Sequence, residues 1–223
     1  HEVRFGAIAL ESKELREPPS ERMAAALVEG VRDRGIHVLP WDRDTRAWQA
    51  RVQFLHGVDP ESWPDVSDEA LLASLSEWLA PFLGGMTKLA HLRGVKLREA
   101  LASLVGYARA REVDRLAPTH IAAPSGARVR IDYTGERPAL PVQIQKMFGA
   151  TETPRIAGGR APLVLHLLSP AQRPVQVTDD LVSFWKNAYP EIRKELRGRY
   201  PKHPWPEDPM AAQPTNRTKG RGS

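Results

Sequence analysis

The apolar residues of this 223-residue chain change their spacing at Pro118, and that change constrains the fold more than any other feature. Before it the spacing is helical. Met23, Ala24, Leu27, Val28 and Val31 recur every three or four residues from Glu21, until Gly35 ends the run. IHVLP then reads as a short extended piece. A second helix is predicted over about Asp44–His56, with Trp48, Val52 and Leu55 on one face. Ser67 caps a third, with Asp68 and Glu69 in the first turn where they favour the positive dipole end. Its stripe is Leu71, Leu72, Leu75, Trp78 and Leu79, and Pro81 bounds it. KLREALASLVG and ARAREVDRLAP are two further helical stretches.

After Pro118 the chain reads as strands and turns. THIAAP and ARVRIDY are extended runs joined through Pro124-Ser125-Gly126, a tight-turn signal. Val129, Ile131 and Tyr133 alternate with Arg128, Arg130 and Asp132, the period of a half-buried strand. PALPV leads to a short helix, VQIQKMFG, then a loop, TETPRIAGGRAP. LVLHLL is a nearly continuous apolar run that suits an interior strand. A last helix is predicted from Thr178-Asp179-Asp180, carrying Leu181, Phe184 and Trp185 and stopping before Tyr189-Pro190. A short basic helix, EIRKELRGRY, follows.

Five prolines (Pro201, Pro204, Pro206, Pro209, Pro214) then crowd the last 23 residues, which excludes a regular helix or an interior strand there. The expected architecture is therefore α+β. Residues 1–18 form a strand and linker, 19–117 a helical domain, 118–200 a small α+β domain with a mixed sheet, and 201–223 a proline-rich basic tail. Within the first of these, Val3–Leu10 reads as one strand with no local partner. It would complete a sheet begun upstream or join the sheet further on.

Charge follows the same division. Residues 1–117 hold 16 Lys and Arg against 18 Asp and Glu, and residues 118–223 hold 16 against 9, so the halves carry −2 and +7. A basic half on a near-neutral one suits a face that meets an anionic polymer, or a solubilising surface. The chain has no cysteine, which excludes disulfides and thiolate metal sites and fits a cytoplasmic protein. No run approaches the ~18 apolar residues of a membrane span, and the first ten residues lack the pattern of a signal peptide. The first residue is His rather than Met, which reads as a tag remnant or a cut boundary, so a fragment is expected.

Catalytic chemistry is not visible. There is no GxxxxGK[ST] phosphate loop, and neither Gly84-Gly85 nor Gly158-Gly159 is followed by Lys-Ser or Lys-Thr in the required place. His1, His37, His56, His91, His120, His166 and His203 form no metal-binding pair. His166, inside LVLHLL, reads as a buried, hydrogen-bonded sheet residue rather than a base. Asp179-Asp180 reads as a helix cap. No catalytic residue, metal ligand or cofactor-binding residue is assigned.

From Leu116 to Pro209, LAPTHIAAPSGARVRIDY and PVQIQKMFGATETPRIAGGRAPLVLHLLSPAQRPVQVTDDLVSFWKNAYPEIRKELRGRYPKHPWPEDP resemble the C-terminal domain of HrpB-type ATP-dependent RNA helicases of the DEAH-box group. Earlier, RFGAIAL, RDRGIHVLPW, SDEALLASLSEWLAPFL and DRLAPTH resemble the region that links the helicase core to that domain. The resemblance implies a parent with two RecA-like motor domains, winged-helix and ratchet-like helical domains, and an oligonucleotide-fold-like barrel. The chain would start within or just after that barrel. ATP and magnesium would belong to the motor, which this sequence lacks. The implied partners are the helicase core of the same polypeptide and single-stranded RNA, with no membrane and a monomeric state.

Three groups are candidates for RNA contact. The first is Arg128 and Arg130, beside Tyr133. The second is the loop Arg155-Ile156-Ala157-Gly158-Gly159-Arg160, where glycine amides can approach phosphate closely. The third is Arg193, Lys194, Arg197, Arg199, Lys202 and His203, followed by Trp205. Arginine beside aromatic rings suits single-stranded RNA. Each group also has a plain structural reading as a solvated face, a turn or a packed proline-rich strand. Two rival functions stay open. RYPKHPWPEDP could clamp the helicase core, or Trp63, Trp185 or Trp205 could dock another protein.

Overall fold

The computed structural model describes the backbone of residues 2–5, 8–12 and 20–215. Most of the expected linker up to residue 18 and the end of the tail after Thr215 lie outside these residues. The chain divides into two compact units, His1–Arg46 with Val66–Gly106, and Ala47–Asp65 with Tyr107–Ser223. The mixed α+β class holds. Residues 47–65, helical as far as Val58, and the helical residues 107–116 cluster with the sheets, whereas the sequence places its boundary at Pro118.

In the first unit, β1 (Glu2–Phe5) pairs antiparallel with β2 (Ile8–Ser12). The single strand expected over Val3–Leu10 is thus a hairpin, with a bulge between Val3 and Arg4. The missed signal is Gly6, which with Ala7 separates two short runs at hairpin spacing. Helix α1 (Ser20–Arg34) ends at Gly35, which takes φ 88°, a left-handed value that glycine adopts at no steric cost. IHVLP is not extended. Ile36–Val38 is a 3₁₀ turn, which puts Ile36 and Leu39, both buried and three apart, on one side, whereas an extended strand would put them on opposite sides.

The helix predicted from Ser67 starts as expected, with the Ser67 hydroxyl accepting from the Ala70 amide at 3.2 Å. It breaks at Ser74 into α3 (Asp68–Ala73) and α4 (Leu75–Trp78). There the Ser74 hydroxyl donates back to the Ala70 carbonyl at 2.8 Å, a bond that competes with the helix. α1 packs on α4, and α4 packs on α5 (Leu97–Val105). Gly30 lets α1 approach Leu89 closely, since a Cβ there would sit 2.8 Å from the leucine side chain.

The second unit holds most of α2 (Arg43–Val58), then α6 (Tyr107–Leu116) and the sheets. β3 (His120–Ala122) and β4 (Arg128–Arg130) form the expected antiparallel hairpin, with Gly126 at φ 77° in its turn. β5 (Ala139–Gln143), β8 (Val164–Leu168) and β9 (Pro174–Thr178) form a three-stranded sheet. β8 is central, parallel to β5 and antiparallel to β9. LVLHLL is therefore an interior strand, but His166 is exposed rather than buried. Among the described residues, only one face of this sheet is covered along its middle. Leu165 and Leu167 point into the core, while His166 lies in a row with Pro141 and the 56% exposed Val177.

Two further expectations change in detail. VQIQKMFG supplies the end of β5 and a 3₁₀ turn over Ile144–Met147, which sends Ile144, Met147 and Phe148 inward together. The TETPRIAGGRAP loop contains a small hairpin of β6 (Arg155–Ile156) and β7 (Ala161–Pro162).

The final helix does not stop before Tyr189-Pro190. α7 (Leu181–Ser183) runs through a π turn at Phe184–Ala188 into α8 (Tyr189–Arg199). The Tyr189 amide reaches back five residues to the Phe184 carbonyl, and Pro190 falls in the first turn of α8, where a missing donor costs little. This wide turn packs Trp185 and Tyr189 against each other and against both Phe148 and Phe184, with paired ring centroids 5.0–6.2 Å apart. Such pairs add about 0.5–1.5 kcal/mol each beyond burial.

Beyond α8, residues 201–215 form no helix or strand, as their prolines require. They lie along their own unit. Trp205 is buried in its core, the Pro206 carbonyl accepts from the Tyr189 hydroxyl at 3.0 Å, and the Pro209 carbonyl accepts from the Gly149 amide at 2.9 Å.

Candidate nucleic-acid interface

Strand alternation builds the first group. Val129 points into the core, so Arg128 and Arg130 project to solvent, cross-strand from Ala122 and His120. Neither guanidinium joins an ion pair among the described residues. Asp132 follows two residues on. Its carboxyl lies below the usual range, chiefly because the Thr134 amide and hydroxyl donate to it, with smaller help from His166 and Arg130. Tyr133 does not present its ring beside the arginines. Its hydroxyl donates to the Pro118 carbonyl at 2.8 Å and its ring packs 5.6 Å from Phe54, and burial pushes its pKa up.

The second group is turned inward on itself. Ala157, Gly158 and Gly159 all have positive φ (54°, 66° and 85°), which makes a tight turn between β6 and β7. Arg155 donates to the carbonyls of Gly159 and Arg160 at 2.6 and 3.2 Å. Arg160 donates to the Ala157 carbonyl at 3.1 Å and to Asp59 at 3.0 Å. The Gly159 amide bonds the Ile156 carbonyl at 3.1 Å. These arginines stay exposed, but their donors brace the loop.

One consequence is measurable. Asp59 sits below the usual carboxylate range because Arg160 first, then Ser62, donates to its charged form. A depressed folded-state pKa stabilises the fold above the ordinary carboxylate pKa, and that contribution fades as pH falls through the depressed value. Asp59→Asn is expected to flatten the acid limb of the stability curve. Thermal unfolding across the carboxylate range tests this, and an unchanged acid slope would refute it.

The third group divides. Arg193 donates to the Trp205 carbonyl at 2.9 Å and pairs with Glu207 at 3.1 Å, and Lys194 pairs with Glu191 at 2.6 Å. Trp205 is 7% exposed and its indole donates to the Tyr200 carbonyl at 3.0 Å, so its ring faces the core and not solvent. His203 is half-buried, and desolvation lowers its pKa. Arg197, Arg199 and Lys202 remain exposed and outside any ion pair among the described residues. Trp63 and Trp185, the other docking candidates, are each 3% exposed.

The sequence reading missed Arg173 and Tyr200. Arg173 lies on the β8–β9 turn, which the fold brings against α8, and with Arg199 and Tyr200 it lines a cleft of about 180 Å³. No local pattern marks this juxtaposition, because it is tertiary. Among the described residues, no group of three His, Asp or Glu side chains gathers as a metal site, and no helix is long and apolar enough to cross a membrane.

A helical unit and a small mixed-sheet unit with cationic edges, in a sequence without a phosphate loop, describe an accessory domain rather than a motor. The chain belongs to the family of ATP-dependent helicase C-terminal domains, HrpB_C, which it matches over residues 78–209. It is 42% identical over 219 residues to the ATP-dependent RNA helicase HrpB of Escherichia coli (strain K12), covering 97% of this chain and 27% of that protein. The crystal structure of the E. coli DExH-box NTPase HrpB superimposes with a TM-score of 0.79 at 42% identity, over 97% of this chain and 27% of that one. A second crystal structure, of the E. coli DEAH/RHA helicase HrpB, gives 0.67 at 39% identity, over 92% and 26%. The chain thus spans about a quarter of the length of these relatives.

Proposed function

We propose that this accessory helicase domain holds single-stranded RNA for a motor carried by the same polypeptide, with ATP and magnesium used by that motor. The observation that carries the reading is the set of exposed guanidiniums outside any ion pair among the described residues. Arg128 and Arg130 stand together on one hairpin face, and Arg197 and Arg199 stand with Lys202 at the end of α8. Several other arginines of the sheet-bearing unit, Arg51, Arg137, Arg155, Arg160 and Arg193, are instead spent on carboxylates or carbonyls. Ungrouped cations on a half that carries +7 favour a polyanion. The seat of residues 201–215 on their own unit weighs against the rival clamp, since that segment already has its partner.

Fluorescence anisotropy with a labelled single-stranded RNA at two salt concentrations tests this. Arg128→Ala with Arg130→Ala is expected to weaken binding about tenfold at low salt. The slope of log K against log salt should flatten by about 1.4, for two single-strand phosphate contacts at ~0.7 each. The fold should survive, because exposed charges carry little stability. Equal binding by wild type and variant, or none by either at low salt, removes the proposal.

A further inference from the structure

We infer that the cleft between the β8–β9 turn and the end of α8 receives one unstacked base of single-stranded RNA, with Arg173 and Arg199 holding the flanking phosphates. This rests on the RNA reading above and gives it a place. The cleft is floored by Pro174, Val175, Ile192 and Leu196 and walled by the two arginines, Glu195 and Tyr200. Of its polar groups, the Ser169 hydroxyl accepts from the Arg173 amide. The Arg173 and Arg199 guanidiniums and the Tyr200 hydroxyl have no partner among the described residues.

The backbones that carry them are fixed. The Ser169 amide donates to the Arg173 carbonyl at 2.9 Å, and the Arg173 amide to the Ser169 hydroxyl at 3.2 Å, around Gln172 at φ 61°. On the opposite wall the Tyr200 amide closes on the Leu196 carbonyl at 2.7 Å, and the Tyr200 carbonyl takes the Trp205 indole N–H at 3.0 Å. Two cations without another partner among the described residues thus stand on fixed backbones beside an apolar surface.

Size and charge then choose the ligand. About 180 Å³ is well under the ~300–1,000 Å³ of pockets that enclose a whole small-molecule ligand, so a single flat ring fits better than an entire cofactor. A ring on the apolar floor, with anionic groups on both sides at the two guanidiniums, is the pattern of a base within a phosphodiester chain. Glu195 accepts N–H groups from the base edge. A duplex keeps its bases stacked and paired, so only a single strand can enter.

The test uses the full chain and an oligoribonucleotide carrying 5-iodouridine. Irradiation and mass spectrometry should place an adduct on Tyr200. Arg173→Ala with Arg199→Ala should remove it and weaken binding about tenfold while circular dichroism stays unchanged. If wild type binds RNA, but the adduct maps to the β3–β4 hairpin and this double variant binds normally, the cleft assignment is overturned and the RNA reading stands. If wild type binds no RNA at low salt, both are overturned.

Discussion

Trp205→Ala is expected to cost about 3–5 kcal/mol of stability, the range for deleting a buried large aromatic side chain, and to release the proline-rich segment. Trp205 is 7% exposed in the core of the sheet-bearing unit, and its indole N–H is bonded to the Tyr200 carbonyl. Its own carbonyl accepts from Arg193, and beyond it the carbonyls of Pro206 and Pro209 accept from Tyr189 and Gly149. The segment has no ladder or helix of its own, so Trp205, the lesser packing of Met210 and Ala212, the Arg193–Glu207 pair and a few backbone bonds hold it. Prolines lower the entropy that docking must overcome, which is how so few contacts suffice. Urea unfolding should show the loss, and trypsin should cut after Lys202 in the variant far faster than in wild type. Trp205→Phe should recover most of the stability. A variant that unfolds within ~0.5 kcal/mol of wild type and resists trypsin would mean that the segment is seated by its backbone alone.

What was legible in the sequence was what local pattern encodes. Alternation along ARVRIDY placed Val129 inside and Arg128 and Arg130 outside, and they are so placed. The Ser67 cap, the Gly35 stop and the interior position of LVLHLL were equally readable. Pattern does not say which face of a strand finds a cover. His166 interrupts an apolar run that looks buried on both sides, yet the face it shares with Pro141 and Val177 is open. Nor does pattern say how a charge is spent. Arg155, Arg160 and Arg193 look like Arg128 in sequence, but three-dimensional neighbours give them carbonyls and carboxylates. Trp205 read as a base-stacking candidate for the same reason. Its burial follows from where residues 201–215 lie, which no short window reports.

Arg51 is the clearest case of a charge whose role is tertiary, and Arg51→Met is expected to cost about 2–4 kcal/mol. Its side chain is 7% exposed on α2, in the sheet-bearing unit. Its Nε donates to the Ala117 carbonyl, and one Nη donates to the Val113 carbonyl at 3.1 Å and to Asp114 at 2.5 Å. Val113 and Ala117 lie at the end of α6, where helix carbonyls lack intrahelical donors and carry the negative end of the dipole. The guanidinium therefore terminates α6 and ties it to α2. Without it, the Ala117 carbonyl is left unpaired and that of Val113 keeps only the Ala117 amide. Each unsatisfied buried group costs about 1–3 kcal/mol. The ion pair contributes less, because Asp114 is 86% exposed and the pair is screened on that side. Asp114→Asn should thus cost under ~1 kcal/mol, while Arg51→Lys, whose ammonium lacks the planar fork, should recover only part of the loss. Urea denaturation of the three variants separates the roles. If Asp114→Asn destabilised the chain as much as Arg51→Met, the ion pair rather than the carbonyl cap would be holding α6 in place.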